Sequence, residues 1–282
     1  MKGFTAYLAS RYIAGDERSD AIKVCRDLNG KGIAATIDVL GEGVSDAAHA
    51  RAAVDEYLAL LEDIKNTGLD ASISLKLTHL GLDISRALTE ENLSKILEEA
   101  AKRGIFTRLD MERSKYTEDT LNIFLKLHER FAETGVAIQS TLLRSERDIE
   151  RLIEARASVR LVKGAYAEPP GVAFQEKKLV DMNYVTLMKR LLTEGYKPAI
   201  ATHDEAIINE AKEFITEKKI RKDAFEFQML LGIKRSLQKE LAREGFRVRV
   251  YVPYGNDWFA YVLRRLKERK ENIFFVVRNI LD

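Results

Sequence analysis

Near the carboxyl end, a stretch of helical pattern from Asn256 to Arg269 carries Tyr261, Arg264, Arg265 and Glu268. At about 100° per residue these four share one arc of the helix surface, while Val262, Leu263 and Leu266 fall on another and can pack against the body of the protein. Two adjacent guanidinium groups suit bidentate capture of a carboxylate, and Tyr261 adds a flat wall carrying a hydroxyl. An arginine-rich arc on a helix is ordinarily just a solvated face, so this one gains meaning only from what lies around it. Upstream, polar or charged residues close a series of short apolar runs: Asp38, Lys76, Asp110, Gln139, Lys163, Thr202, Gln228 and Tyr251. A carboxylate, a lysine or an amide at such a place can hold an anion, move a proton or, for lysine, form a Schiff base.

Those runs are the elements that must position the chemistry. They read Ala34 to Asp38, Ile73 to Leu77 around Lys76, Ile105 to Asp110, Val136 to Gln139, Val159 to Lys163, Ala199 to Thr202, Phe225 to Gln228, and Val248 to Tyr251. Helix-period segments follow them at 46–65, 89–103, 117–133, 146–155, 176–194, 204–218, 233–243 and 257–269. Ahead of the first run, Phe4 to Ile13 is a short amphipathic segment and Glu17 to Leu28 reads as a helix closed by Gly30. Ser45, Thr89, Ser145 and Asn256 or Asp257 are the expected N-caps. Asn29-Gly30, Glu133-Thr134-Gly135 and Glu194-Gly195 supply the expected stops. Eight strand–helix units predict an α/β fold, a (βα)8 TIM barrel whose active site is built at the C-terminal strand ends. The length of 282 residues suits one such domain, with 1–30 as a helical arm and 31–282 as the barrel. The segment Ala165 to Gly171, with Pro169 and Pro170, makes a longer loop after the fifth strand, at the end where loops cover ligands.

A period of two sorts the faces of each strand. Ser72, Ser74 and Lys76 face the interior on the second strand, Arg160 on the fifth, Glu226 and Gln228 share a face on the seventh, and Arg249 and Tyr251 point inward on the eighth. The mouth would then collect Asp38, Lys76, Asp110, Gln139, Arg160, Thr202, Gln228 and Tyr251. So many buried polar groups must pair or meet a ligand; a salt bridge such as Lys76 with Asp110 is the purely structural account. Several classes are disfavoured. A net charge of +2 gives no field for nucleic acid. The one cysteine, Cys25, permits no internal disulfide and fits a reducing compartment. No run approaches about 18 apolar residues, and Met1-Lys2-Gly3-Phe4 lacks the pattern of a secretory signal. His49, His79 and His128 have no metal-ligand spacing, and no Gly-x-Gly-x-x-Gly run follows a strand, so any dinucleotide site is not of the Rossmann type.

Taken in order, Asp38-Val39-Leu40-Gly41-Glu42, Ser74-Leu75-Lys76-Leu77, Leu109-Asp110-Met111-Glu112, Gln139-Ser140-Thr141-Leu142, Arg160-Leu161-Val162-Lys163-Gly164-Ala165-Tyr166, Ala201-Thr202-His203, Phe225 to Gly232, and Tyr251-Val252-Pro253-Tyr254-Gly255 with the Tyr-x-x-Arg-Arg-x-x-Glu helix resemble the monofunctional, flavin-dependent proline dehydrogenases. The likeness runs over residues 30 to 280. It implies a distorted barrel holding FAD, and hydride transfer from L-proline C5 to flavin N5 to give Δ1-pyrroline-5-carboxylate. Electrons would then pass to a quinone.

By that resemblance Arg264 and Arg265, helped by Lys76, would clamp the proline carboxylate. Leu230, Tyr251 and Tyr261 would enclose the ring, Glu268 would steady the arginine pair, and Asp110 would hold Tyr251 or Lys76. Arg160 and Lys163 would lie against the flavin, Gln139 on its pyrimidine side, and Ala165, Thr202 and His203 would complete the cofactor set. Asp38 and Glu42 would shape the site. The family carries more helices ahead of the barrel than this chain, whose arm is either naturally short or trimmed. Apolar surface near the amino end is therefore expected to be exposed or used in self-association. A cytoplasmic protein, touching the inner face of the cell membrane at most peripherally, is the expected setting. Two rivals stand beside this reading: a lyase or aldolase forming a Schiff base on Lys76 or Lys163, and a non-catalytic barrel that binds an amino acid through Arg264 and Arg265.

Overall fold

In the computed structural model of the chain the described residues are 11–258. The apolar runs form parallel strands that pair in sequence order and close the last on the first. They are β1 (Ala34–Val39), β2 (Ala71–Leu75), β3 (Thr107–Leu109), β4 (Thr134–Gln139), β5 (Ser158–Val162), β6 (Ala199–Ala201), β7 (Glu226–Leu230) and β8 (Val248–Tyr254). The helices are α1 (Arg18–Asn29), α2 (Ala47–Thr67), α3 (Arg86–Arg103), α4 (Thr117–His128), α5 (Ser145–Glu154), α6 (Lys177–Glu194), α7 (Glu205–Glu217) and α8 (Arg235–Arg243). The expected α/β barrel is therefore present. Of the expected helix 257–269, residues from 259 on lie outside the described residues, as do Tyr261, Arg264, Arg265 and Glu268 and residues 1–10 at the amino end.

The faces separate as a parallel barrel requires. Ile37, Ile73, Leu75, Leu161, Phe227, Val250 and Val252 are buried among the ring helices. Buried tyrosines pin two of those helices to the stem: Tyr57 of α2 donates to the Ser74 carbonyl at 3.1 Å, and Tyr184 of α6 to the Leu161 carbonyl at 3.1 Å. Helix α1 packs on β1 and β8, burying Ala21, Cys25 and Leu28. Burial pushes the Cys25 thiol up to about 12, so it stays a passive thiol. Ile13 is buried near Leu40, while Leu143, Val172, Leu179 and Met182 are exposed at the other side of the barrel. Among the described residues no helix is long and apolar enough to cross a membrane.

Several boundaries differ from the sequence reading, each for a local reason. Asp46 rather than Ser45 caps α2, accepting the Ala48 N–H at 2.7 Å. Ser85 rather than Thr89 caps α3; Thr89 lies within the helix and donates to the Ser85 carbonyl at 3.0 Å. Ser145 is the first residue of α5, not its cap, and its hydroxyl donates to the Gln139 carbonyl at 2.5 Å. Thr134 and Gly135 open β4 instead of stopping a helix. Helix α4 ends at His128, where the Arg130 N–H tightens onto the Leu127 carbonyl three residues back.

The Tyr57 bond carries a measurable consequence. Tyr57→Phe leaves the buried Ser74 carbonyl without that donor and should cost about 1–3 kcal/mol. Urea unfolding of the two proteins reads the difference; equal midpoints would show that the bond does not pin α2 to the stem.

Candidate active site

Short strands put polar residues at their carboxyl ends. Strand β2 stops at Leu75 and β3 at Leu109, so Lys76 and Asp110 stand at the rim next to each other. Lys76 Nζ donates to both Asp38 oxygens, at 2.9 and 2.8 Å, and lies 3.7 Å from Asp110 Oδ2. Tyr251 donates its hydroxyl proton to Asp110 Oδ2 at 2.7 Å and lies 3.4 Å from Lys76 Nζ. Arg160 reaches across from β5: Nη1 to Asp110 Oδ1 at 2.6 Å, Nε to Gln228 Oε1 at 2.6 Å, and Nη2 to Ser74 Oγ at 2.8 Å. Its guanidinium carbon sits 5.4 Å from the Tyr251 ring centroid. One continuous network thus joins side chains from β1, β2, β3, β5, β7 and β8.

The electrostatics follow from burial and pairing. Removal from water pushes the Asp38 carboxyl up to about 6, with Asp110 adding to the rise and Lys76 opposing it. Desolvation works against the Lys76 ammonium, but Asp38 and Asp110 outweigh it and raise its pKa. At neutral pH the pair is therefore ionised. The main partner of Lys76 is Asp38, and Asp110 is the more distant carboxylate; the simple Lys76–Asp110 bridge is incomplete for that reason.

A second group lies over β4 to β6. Gln139 donates through Nε2 to the carbonyls of Met111 and Glu112, at 3.2 and 2.6 Å, and its Oε1 is buried without a partner. Gly164 adopts φ +115°, and a Cβ there would stand 2.8 Å from Gln139 Oε1 and 2.6 Å from Thr141 Cγ2. Glycine is therefore required here: the backbone packs directly against Thr141 and the unsatisfied Gln139 acceptor, with no space for a side chain. Lys163 Nζ lies 2.9 Å from Asp204 and 2.5 Å from Asp181, and Ala165 follows on the β5–α6 loop. His203 Nε2 accepts the Leu230 N–H at 2.9 Å, which ties the end of β7 to the loop after β6. Thr202 is a correction to the strand-facing pattern. In register Ala201 stands beside Gln228, so Ala201 takes the inward face and Thr202, one residue on, turns its Oγ1 to accept the Asp204 N–H at 3.1 Å.

Glu112 closes the Leu109-Asp110-Met111-Glu112 motif. It is buried, accepts from the Thr78 N–H at 3.1 Å and from the Thr78 hydroxyl, and burial pushes its carboxyl up to about 7. Thr78 in turn accepts the Gly43 N–H at 2.9 Å. Glu112, Thr78, Glu42, Tyr166 and Glu168 border a cavity of about 450 Å³ at this end of the barrel. Glu168, on the long loop after β5, accepts from the Ser114 N–H at 2.7 Å and hydroxyl at 2.5 Å, so that loop is held to the turn after β3. The spacing of Glu112, two residues past Asp110, was the available signal: both close the same strand. The histidines are ordinary. His49 is exposed, His128 stacks on Phe124, and burial lowers His79 to about 4, keeping it neutral. No metal-binding cluster occurs among the described residues.

Comparison with known proteins adds independent information. Residues 21–278 match the family model described as proline dehydrogenase. The chain is 42% identical over 273 residues to "Proline dehydrogenase 1" of Bacillus subtilis subsp. natto, covering 97% of this chain and 90% of that protein. It is 41% identical over 279 residues to "Proline dehydrogenase" of Deinococcus radiodurans, again with 97% and 90% covered. Among solved structures it is similar to proline utilization A from Bdellovibrio bacteriovorus inactivated by N-propargylglycine, with a TM-score of 0.87 and 26% identity. That match covers 93% of this chain and 32% of the longer one, so the chain spans about a third of that protein.

The Glu112 carboxyl sets a pH dependence. Its folded pKa of about 7 lies above the ordinary 4.5, so the folded state holds the proton more tightly between those values. The stability this lends is complete below about pH 4.5 and is lost as pH rises through about 7, at up to about 1.4 kcal/mol per pH unit. Asp38, raised to about 6, acts in the same direction. Glu112→Gln should therefore reduce, without abolishing, the fall in stability between pH 5 and 7 measured by urea unfolding. An unaltered slope would mean that Glu112 is not a buried acid.

Proposed function

The chain belongs to the proline dehydrogenase family, and from that premise we propose that it oxidises L-proline to Δ1-pyrroline-5-carboxylate with FAD as its cofactor and a quinone as the electron acceptor. The observation that carries the reading is the linked network at the mouth. It gathers a charged lysine, a guanidinium and a tyrosine ring on one small concave face. Such a face suits a small cyclic amino acid anion: a cation for the carboxylate and a ring wall for the methylenes.

The residues fit the flavin on structural grounds. The buried, unpartnered Gln139 Oε1 is an acceptor for an imide N–H, and Gly164, lacking a side chain, lets the backbone after β5 pack close beside it. FAD, when bound, supplies an N5 that accepts the hydride from proline C5. Gln139, Arg160 and Lys163 would hold its ring system, and Ala165, Thr202 and His203 the rest of it. Arg160 and Lys163 place positive charge where negative charge arrives. On the substrate side Lys76, Arg264 and Arg265 bind the carboxylate, and Leu230, Tyr251 and Tyr261 enclose the ring. Glu268 orients the arginines, and Asp110 fixes Tyr251 by the hydrogen bond already described. The substrate amine must be neutral when hydride leaves, so the rate rises with pH through that ionisation, with solvent taking the proton. A quinone is carried in lipid, and the proposal therefore includes contact of a cytoplasmic protein with the inner face of the cell membrane.

The Schiff-base alternative is weak on electrostatic grounds. An attacking lysine must be neutral, whereas Lys76 is held as an ammonium by Asp38 and Asp110 and Lys163 lies between Asp181 and Asp204.

Anaerobic titration of the purified protein with L-proline should bleach a flavin absorption band. A colourless protein that borohydride traps covalently with substrate would end the proposal in favour of imine chemistry. Arg264→Met and Arg265→Met should each raise the KM for proline about 10- to 100-fold, the scale of a lost charge-assisted bond, at normal flavin content. Parallel loss of flavin would place those arginines at the cofactor instead.

A further inference from the structure

The stem beneath the mouth contains a buried guanidinium that is hydrogen-bonded to no carboxylate. Ionic groups line the barrel interior around it. At the floor, Arg249 Nε donates to both oxygens of Glu226, at 3.0 and 3.1 Å, and its Nη1 lies 3.7 Å from Asp70. At the rim, Lys76 and Arg160 share Asp38 and Asp110. Arg108 on β3, 3% exposed, turns its guanidinium away from the mouth, toward Ser158 at the start of β5. It donates only to neutral groups: Nη1 to the Ser158 carbonyl at 3.0 Å and Nη2 to Ser158 Oγ at 3.1 Å. Its guanidinium carbon also lies 4.8 Å from the Phe106 ring centroid. Among the described residues no carboxylate comes within salt-bridge distance of it.

A buried cation without a counter-ion is costly, yet the chain makes room for this one. Gly135 of β4 lies beside it, and a Cβ there would stand 2.7 Å from Arg108 Nη1 and 2.5 Å from the Ser158 carbonyl. An alanine would close the slot. Burial, with Arg160 and Arg249 adding to the effect and the more distant carboxylates of Glu226 and Asp110 opposing it, lowers the Arg108 pKa to about 9, which leaves the group charged at neutral pH. Its Cα is two residues before that of Asp110, about 6–7 Å deeper along the strand.

We propose that Arg108 is a positioning residue of the electrostatic kind: a positive charge in the barrel stem, without an ion-paired carboxylate of its own, that favours negative charge at the mouth above it. It touches neither substrate nor cofactor and acts through the field it adds beneath the Arg160–Asp110 network. The proposal rests on the flavin reading, because the negative charge it favours is that of the reduced flavin. Low-polarity surroundings let one charge act over such distances.

The test uses the flavin-loaded protein and two readouts that do not depend on turnover. One is the flavin midpoint potential. The other is affinity for sulfite, whose lone pair bonds to flavin N5 and leaves negative charge on the ring. Arg108→Met should weaken sulfite binding on the order of tenfold and lower the two-electron potential by the corresponding amount, about 30 mV per factor of ten. Arg108→Lys should keep both near their starting values. Glu226→Gln, which frees the charge of Arg249 at the floor, should move both in the opposite direction and stands in should Arg108→Met fail to fold. Flavin-loaded variants with unchanged potential and sulfite affinity, even if less stable, would show that Arg108 only packs the stem. A wild-type protein that takes up no flavin would remove the earlier reading, and this inference with it.

Discussion

Asp110 is shared by two hydrogen-bond donors and a nearby ammonium, and the mouth of the barrel is arranged around that sharing. Its two oxygens receive Arg160 and Tyr251, and Lys76 stands 3.7 Å away, itself held by Asp38. Each of these groups is expensive to remove from water alone, and breaking up a buried ionic set strands the partner that remains. Because these groups come from β2, β5 and β8, satisfying one carboxylate fixes the relative placement of distant strands. The rim is rigid for the same reason that it is polar.

The loops above the rim depend on that rigidity in turn. Glu112, two residues past Asp110, carries the fixed position of β3 to Thr78 after β2, and Thr78 carries it to Gly43 after β1. Glu168 brings the long loop after β5 to Ser114. Helix α1 covers the outer faces of β1 and β8, which closes the ring on the side where the chain begins and leaves the interior as the place where polar side chains must find one another. The unsatisfied atom at Gln139 belongs to a side chain at the carboxyl end of β4, facing the mouth, which is why it serves as a mark of something to be bound.

Much of this was legible in the residue pattern. Parallel strands buried on both faces still alternate here, because the stem is polar inside and apolar outside, so Ser74, Arg160, Gln228 and Tyr251 could be assigned inward from period alone. Strand ends were legible because polar residues close the apolar runs. What periodicity does not supply is register between strands. It could not show that Lys76 meets Asp38 more closely than Asp110, nor that Ala201 rather than Thr202 shares the level of Gln228. Caps shifted by a few residues because neighbouring acceptors compete: Asp46 against Ser45, Ser85 against Thr89. Arg108 was invisible as special, since its significance lies in what does and does not surround it in space, and Glu112 showed only as a second acidic residue two positions past Asp110. The roles of Arg264, Arg265, Tyr261 and Glu268 rest on the motif, as those residues lie outside the described ones.

The charge state of Lys76 separates the chemistries that a barrel of this kind could host. A fold of this type is compatible with imine formation, hydrolysis and redox reactions alike, so the decision falls to the site. A lysine whose ammonium is held by two carboxylates does not titrate near neutrality and cannot serve as a nucleophile there. It can serve as a fixed positive anchor whose affinity for a carboxylate does not change with pH over the same range. The amine of the bound amino acid can then lose its proton while the anchor stays charged, and that loss is what a hydride donor requires. The ionic set that closes the covalent route is thus the one that suits oxidation beside the nitrogen.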